Sequence, residues 1–503
     1  MRVRYDNCRN LVTLSGMVRL RLRIRRCEAP DCPRFHLPYR PEAEGALALP
    51  QHEFGLDVIA LVGLLRHRDH RSVPEIHAAL RGRGVEIAER SVTNLLDRYD
   101  ELLASALTGG RHLRRVLKAQ GGVILALDGL QPDVGHEVLW VLRDCLSGAV
   151  LLARSLLSSR SEDLVPLLEE AKAAVGVPVL GVIGDGQTSI RRAVAEALPG
   201  VPHQLCHFHF LREAAHPVFE ADRTAKKELK KRVRGVRRIE RSVEGAEEPA
   251  AEVARGYCAA VRSAITDDGR PPLAASGLKL KARLAAVADS LDRVAEKGGF
   301  TPALTRLRVL IGRGLEGTAA LWPDIERTYG WVHRAAQILG NAAGETADLV
   351  RRRFDGLIGA MTRHGAEAGN LVGAVEHFLK VTRSYRPGLF HCPAVAGLPR
   401  TNNDLEQMFG SQRYHERRAT GRKTASPALV LRGEVRVLAA TATRLHPPSA
   451  RDLGRVSLQR WRDLRQRLEP RRLARTLRTR FRRDPARYLA ALEQQACQQA
   501  LPT

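Results

Sequence analysis

An apolar run that ends on an aspartate constrains this 503-residue chain more than any other feature. Residues 123–127 (VILAL) lack helical periodicity and are bounded by glycines, which favours a central strand buried on both faces. Asp128 follows, at a position where a carboxylate is costly unless it is paired, hydrogen-bonded or bound to a metal. The alternative is a structural aspartate, because strands often end in Asp for turn chemistry.

A second run of this kind, residues 177–184, also ends on an aspartate, Asp185. Between the two runs lie strand-like segments at 137–143 and 149–158, followed by a helix that Ser161 begins. Three strands, a helix and a fourth strand is the element order of an RNase H-like sheet, so we predict an α/β fold with this mixed sheet. If the first and fourth strands are parallel neighbours, both aspartates lie at one edge, where a divalent cation would relieve their repulsion.

The charge of the chain indicates a polyanionic partner. The formal net charge is +26, which favours nucleic acid, although a basic protein whose charge only keeps it soluble is the alternative. No secretory signal opens the sequence and no apolar stretch reaches the roughly 18 residues of a membrane span, so we expect a cytoplasmic, nucleoid-associated protein without membrane contact. The eight cysteines then predict reduced thiols or metal ligands rather than disulfides.

Residues 1–50 are predicted to form a β-ribbon that contacts DNA. Apolar residues and arginines alternate over 18–25, so a strand would bury four aliphatic side chains on one face and present four guanidinium groups on the other. Soft or borderline ligands flank this strand, and they would either close a tetrahedral zinc site or remain ordinary reduced cysteines with a histidine nearby. These candidates are Cys8, Cys27, Cys32 and His36.

Residues 51–110 are predicted to form a helix-turn-helix DNA-binding domain. Ser72 and Glu75 have the spacing of a capping box at the start of the second helix. The third helix has an apolar stripe, and its polar residues would face outward, as a major-groove recognition helix requires. Those polar residues are Arg90, Ser91, Thr93, Asn94 and Arg98. A small helical bundle without a role in DNA binding is the alternative.

Two later motifs resemble a known enzyme family. The Cys-x2-His spacing of Cys206 and His209 is similar to a motif that follows the second aspartate in DDE transposases of the Mutator-like group and their bacterial insertion-sequence relatives. A Thr-Asn pair followed by Leu-Glu, ending on Glu406, is similar to the family's final acidic signature. One departure is Phe409, since relatives commonly carry asparagine three residues after the glutamate; Asp404 is therefore the fallback for the third acid.

The resemblance implies a domain order for the rest of the chain. It implies an RNase H-like catalytic domain at 118–210 and 396–445, interrupted by an all-helical insertion at 211–395 and followed by an Arg-rich helical region at 446–503. Such a domain would hold two Mg²⁺ (or Mn²⁺) ions, which would activate a nucleophile and stabilise the leaving oxygen during phosphodiester cleavage and strand transfer. The implied metal ligands are Asp128, Asp185 and Glu406.

The resemblance also implies partners and a second metal. Cys206 and His209 would bind Zn²⁺, with a buried hydrogen-bonded pair as the alternative. Basic residues after the third acid would bind phosphates: Arg417, Arg418, Arg422 and Lys423. The expected partners are double-stranded DNA, as terminal inverted repeats and as target, and further copies of the chain in a homo-oligomer. Two other functions stay open, namely a DNA-binding regulator that has lost cutting and a metal-dependent endonuclease without strand transfer.

Overall fold

A computed structural model describes four stretches of the chain, residues 1–107, 111–131, 137–422 and 427–499. Contacts between Cα atoms divide the chain into two compact units. The first unit comprises Met1–Val182, Thr188–Val201 and Asn403–Thr503. The second unit comprises Ile183–Gln187 and Pro202–Asn402, so the predicted helical insertion lies wholly within it.

The N-terminal ribbon is an antiparallel hairpin with a short third strand. Its strands are β1 (Arg2–Thr13), β2 (Gly16–Arg26) and β3 (Pro38–Tyr39), in the order β1-β2-β3. The predicted alternation is present, but the aliphatic face is only partly buried. Leu22 and Ile24 are buried and Leu20 is half-buried, whereas Val18 near the hairpin turn is 41% exposed. The prediction of four buried aliphatic side chains is therefore wrong for Val18.

Helices follow the ribbon after a short 3₁₀ turn at Glu42–Ala46. They are α1 (Leu56–His67), α2 (Val73–Arg81), α3 (Glu89–Leu107) and α4 (Arg111–Gln120). The capping box at the start of α2 is confirmed, because the Ser72 hydroxyl accepts from the Glu75 backbone N–H while the Glu75 carboxylate accepts from the Ser72 backbone N–H at 2.7 Å. This reciprocal bonding satisfies donors that a helix start leaves unpaired.

The central sheet alternates with two helices in chain order. These elements are β4 (Val123–Leu130), β5 (Val138–Asp144), β6 (Val150–Leu156), α5 (Ser161–Val175), β7 (Val179–Gly184), α6 (Thr188–Ala197) and β8 (His203–Leu205). The strand order is β6-β5-β4-β7-β8, with β4–β5 and β5–β6 antiparallel. The Val123 N–H donates to the Pro178 carbonyl just before β7 (N···O 2.9 Å), so β4 and β7 begin side by side and run in the same direction.

From residue 207 to residue 385 the second unit consists of helices joined by loops and short 3₁₀ turns. Its helices are α7 (His207–Ala214), α8 (His216–Arg232), α9 (Val236–Arg241), α10 (Pro249–Thr266), α11 (Ser276–Glu296), α12 (Pro302–Glu316), α13 (Trp322–Gly340), α14 (Ala347–His364) and α15 (Val372–Tyr385). Phe210 packs edge-on against Phe354 and Phe378, with ring centroids 6.1 and 5.8 Å apart. These buried aromatic rings join α7, α14 and α15 in one core.

The remaining helices return to the first unit. They are α16 (Asn403–Thr420), α17 (Pro427–Leu445), α18 (Ala450–Gly454), α19 (Leu458–Arg483) and α20 (Pro485–Gln499). Ala439, Leu453 and Trp461 belong to the same hydrophobic core as α1, α2 and α3. The prediction treated 51–110 and 446–503 as separate regions, whereas their helices share this core. The described chain is a mixed α/β protein whose C-terminal part is helical.

Candidate active site and nucleic-acid interface

Asp128 lies near the end of β4. The apolar run before it, residues 123–127, is buried throughout, as expected for a strand with a neighbour on each side. Asp128 is half-buried and pairs in register with Val141 of β5. Its Oδ1 atom accepts a hydrogen bond from the Gly129 backbone N–H (N···O 2.8 Å). The strand continues for two paired residues beyond Asp128, so this carboxylate lies within β4 near its end rather than at the end that the sequence predicted.

Glu406 lies in the first turn of α16, which begins at Asn403. This turn is the positive end of the helix dipole, where an anion is stabilised. Because α16 packs against β4, the elements that carry Glu406 and Asp128 are in contact within the first unit. Asp404 is a poorer candidate, since 83% of its side chain is exposed and its carboxylate is 3.9 Å from the Arg143 guanidinium.

Asp185 is the first residue after β7 and belongs to the second unit. Its Oδ1 atom accepts a hydrogen bond from the Gln187 backbone N–H (N···O 2.8 Å). The next residue, Gly186, has no room for a side chain, because an added Cβ atom would lie 1.8 Å from the Tyr385 hydroxyl oxygen. That hydroxyl donates to Glu213 Oε2 (O···O 2.7 Å), so a second carboxylate stands beside the loop of Asp185.

Glu213 was not among the residues that the sequence predicted for the site. Its only sequence signal is its position four residues after His209, which puts both residues on one face of α7. Glu213 is linked to the loop of Asp185 through Tyr385, which lies 172 positions after Glu213 in the sequence. Sequence spacing does not reveal a contact of that range.

Cys206 and His207 are buried at the start of α7. The Cys206 thiol accepts a hydrogen bond from the Asn402 backbone N–H (N···S 3.4 Å). The His207 ring contacts the Leu389 carbonyl oxygen (Nε2···O 2.7 Å) and Gln204, and burial lowers the pKa of His207 to about 4. This ring is therefore neutral at physiological pH and joins α7 to the segment around Leu389.

The zinc ligands predicted in the ribbon do not all come together. Cys27 and Cys32 are neighbours, and hydrogen bonding from the Ala29 backbone and then from the Cys32 thiol lowers the pKa of Cys27. His36 follows in the same loop, where its N–H donates to the Cys27 carbonyl. Cys8, in contrast, pairs with Arg21, so it lies about 20 Å along the ribbon from Cys27 at roughly 3.3 Å per residue. The prediction that includes Cys8 in this cluster is corrected accordingly.

Metal binding is predicted for several of these side chains. Within the four described stretches, no three His, Cys, Asp or Glu side chains are grouped so that they could hold a metal ion. This applies to the three predicted acids and to both predicted zinc sites. The Mg²⁺ and Zn²⁺ predictions thus stay predictions.

The polar face of α3 is largely accessible to a nucleic acid. Four of the predicted contact residues are exposed or half-exposed: Arg90, Ser91, Thr93 and Asn94. The outward orientation predicted for Arg98 is wrong. Its Nη1 atom contacts Glu101 Oε2 at 2.6 Å, its guanidinium carbon lies 5.9 Å from the centroid of the Trp461 ring, and only 16% of its side chain is exposed. Arg98 is held inside the shared helical core.

The basic residues at the end of α16 are exposed. Arg417 and Arg422 face solvent, while Arg418 pairs with Glu75 of α2 (Nη2···Oε1 2.9 Å). This exposed pair contributes little to stability, and a phosphate could compete for the Arg418 guanidinium. Lys423 lies outside the described residues.

A buried charge network connects four helices of the first unit. Arg436 of α17 contacts Asp100 of α3 (Nε···Oδ2 3.2 Å) and Glu416 of α16 (Nη1···Oε1 3.3 Å). His67 and Arg66 of α1 complete it, through Asp100 (2.7 Å) and Glu416 (3.3 Å) respectively. Burial raises the pKa of Asp100, but the charges of His67 and Arg436 outweigh burial and hold that pKa below its usual value. The sequence analysis did not anticipate this network.

No protein-family model matches the sequence, and no curated protein matches it significantly. Among the described residues, no helix is both long and apolar enough to cross a membrane.

Proposed function

We propose that this protein is a DNA transposase that cleaves phosphodiester bonds and transfers DNA strands with the help of divalent metal ions. The observation that carries the proposal is the strand order β6-β5-β4-β7-β8, which is the order we expect of an RNase H-like sheet. In that order Asp128 stands on the central strand, and Asp185 directly follows its parallel neighbour. Ligands of open α/β sheets bind at the carboxyl ends of such strands.

The chemistry of the three donors, though not their spacing in this structure, suits a hard divalent cation. Asp128, Asp185 and Glu406 offer carboxylate oxygens, which Mg²⁺ and Mn²⁺ prefer. Asp128 and Asp185 are both half-buried, and each uses Oδ1 to accept a backbone N–H, which orients the carboxylate. When bound, the metal would activate a water or a DNA 3′-hydroxyl and stabilise the leaving oxygen.

The chain's own residues would orient the DNA. The first turn of α16 directs its N–H groups toward the end of the helix that holds Glu406, where developing negative charge is stabilised. The exposed polar residues of α3 would bind the ends of the element. Arg417, Arg418 and Arg422 would bind phosphates beside them. Joining two element ends requires at least two protomers, so we propose that the active form is an oligomer on DNA.

The test uses purified protein, Mg²⁺ or Mn²⁺, and DNA that carries the sequences flanking the coding region. We expect Glu406→Gln and Asp128→Asn to reduce cleavage by at least about 100-fold, the range seen when metal coordination is disturbed. The matched control is Asp404→Asn, which changes an exposed acid two residues from Glu406 and should leave cleavage unchanged. If the wild-type protein leaves the DNA uncut, the proposed enzymatic activity is refuted. Cleavage without joined product would instead identify an endonuclease.

A further inference from the structure

The outer face of the β1–β2 ribbon carries a regular row of arginines. Alternation along β2 points four exposed guanidinium groups to one side, from Arg19, Arg21, Arg23 and Arg25. Neighbouring members of this arginine row are about 6.8 Å apart, and the row is about 20 Å long. Cross-strand pairing adds Asn10, Cys8 and Asp6 to the same face, opposite Arg19, Arg21 and Arg23 respectively.

Most of this positive charge is not neutralised by the protein. Arg21 pairs with Asp6 (Nε···Oδ2 2.7 Å). Throughout the described stretches, no acidic side chain lies within ion-pair distance of Arg19, Arg23 or Arg25. Like charges in one row repel one another, so a polyanion that covers this face lowers the electrostatic free energy.

The opposite face anchors the ribbon to the first unit. Leu11, Leu22 and Ile24 are buried there. Backbone hydrogen bonds also join Val12 to the segment before α1, from the Val12 N–H to the Glu53 carbonyl (N···O 2.8 Å) and from the Gly55 N–H to the Val12 carbonyl (2.9 Å). Packing and hydrogen bonds thus hold the backbone of the arginine row in place, as a binding surface requires.

We propose that the outer face of the ribbon binds double-stranded DNA in the major groove, as a contact separate from α3. The major groove admits a two-stranded ribbon, arginine bonds guanine O6 and N7, and asparagine such as Asn10 bonds adenine. Tyr5 pairs with Ile24 on the other face, and Tyr39 of β3, which pairs with Arg25 at one end of the row, is half-buried and contacts Glu42 through its hydroxyl (O···O 2.7 Å). Single-stranded DNA, which is bound by stacking on aromatic rings, fits the surface less well.

This inference rests on the proposed function, because it names a further contact with the same DNA. The test compares full-length wild type with Arg19→Gln/Arg23→Gln/Arg25→Gln by fluorescence anisotropy on a labelled duplex of mixed sequence. Affinity is measured between about 50 and 200 mM salt, and the slope of log affinity against log salt should shrink by about one for each arginine that contacts a phosphate. At the lowest salt, where phosphate contacts contribute most to affinity, we expect at least about tenfold weaker binding of the duplex.

The matched control removes the same charge elsewhere, through Arg352→Gln/Arg363→Gln/Arg383→Gln on exposed positions of α14 and α15. An unchanged affinity of the ribbon variant, or an equal loss in the control, would overturn the inference. An equal or larger loss on the unpaired strand would also overturn it. The proposed function has a separate readout: wild type that binds the duplex through the ribbon but does not cut it refutes the enzyme and supports the ribbon contact. Metal-dependent cutting by the wild type, together with an unchanged duplex affinity of the ribbon variant, supports the enzyme and refutes the ribbon contact.

Discussion

Replacing Arg436 with methionine would remove the guanidinium group that lies between two buried carboxylates, those of Asp100 and Glu416. The Arg436 side chain is 3% exposed and lies between Asp100, which is fully buried, and Glu416. Methionine keeps an unbranched apolar stem of similar path, so the change removes mainly the charge and its hydrogen bonds. After the replacement, His67 still contacts Asp100 and Arg66 still contacts Glu416.

The magnitude follows from the desolvation of these carboxylates. Removing one partner of a buried ion pair costs about 3–5 kcal/mol, because the remaining charge is left in a poorly solvated site. The contacts that remain, at 2.7 Å to Asp100 and 3.3 Å to Glu416, place the expected loss near the lower end of that range. A loss of about 3 kcal/mol corresponds to a roughly 100-fold larger population of the opened first unit.

Amide hydrogen exchange measures this population unit by unit. A chain with two compact units need not unfold in one step, so a single melting temperature would mix their stabilities. We expect Arg436→Met to accelerate exchange of the amides in α3 and α17 and to leave α14 unaffected. Arg352→Met, at an exposed position of α14, is the control. The slowly exchanging amides of α3 report the free energy of opening. A change in that free energy of less than about 0.5 kcal/mol, the usual range for surface substitutions, would refute the reasoning.

Two further predictions concern the second unit. Burial lowers the pKa of His207 to about 4, so its ring stays neutral in the folded protein. In the unfolded chain the same ring takes up a proton below about pH 6.5. The second unit should therefore lose stability as pH falls from 6.5 toward 4. His207→Gln, which can still donate to the Leu389 carbonyl, should flatten that pH profile in urea unfolding, and an unchanged slope would contradict the assignment. Gly186→Ala should displace the loop of Asp185 from the Tyr385 hydroxyl and, under the proposed function, reduce cleavage. Gly356→Ala, where a Cβ atom meets no neighbour, should change neither the loop nor cleavage.

Local patterns predicted the elements of the sheet region well. The strand and helix order from 123 to 205 is confirmed, because each buried run has a length and periodicity that permit one kind of element. Ser72 and Glu75 show the same on a smaller scale, since a capping box needs only neighbouring residues. Glu406 lies in the first turn of its helix, as the local sequence predicted.

Long-range contacts explain what the sequence did not predict. Arg98 has the spacing of an outward-facing residue, but Trp461 from the C-terminal region covers that part of α3. Cys8 has a plausible ligand type, yet the hairpin register decides its distance from Cys27. The pairing of Arg436 with Asp100 spans 336 positions, so neither residue carries a local signal of the other.

The charge network also bears on how a transposase would choose its cleavage position. Glu406 and Glu416 lie on one helix, about 15 Å apart at 1.5 Å per residue. The network links Glu416 through Arg436 to α3, the helix whose exposed polar residues we propose to bind DNA. Buried ion pairs with packed neighbours hold such helices at a fixed separation, and a fixed separation sets the distance between recognised bases and the cut. Under the proposed function, Arg436→Met should therefore spread cleavage over several positions, which sequencing of the product ends would show. A single unchanged cleavage position, with exchange in α3 accelerated, would separate the stability role of the network from any role in positioning.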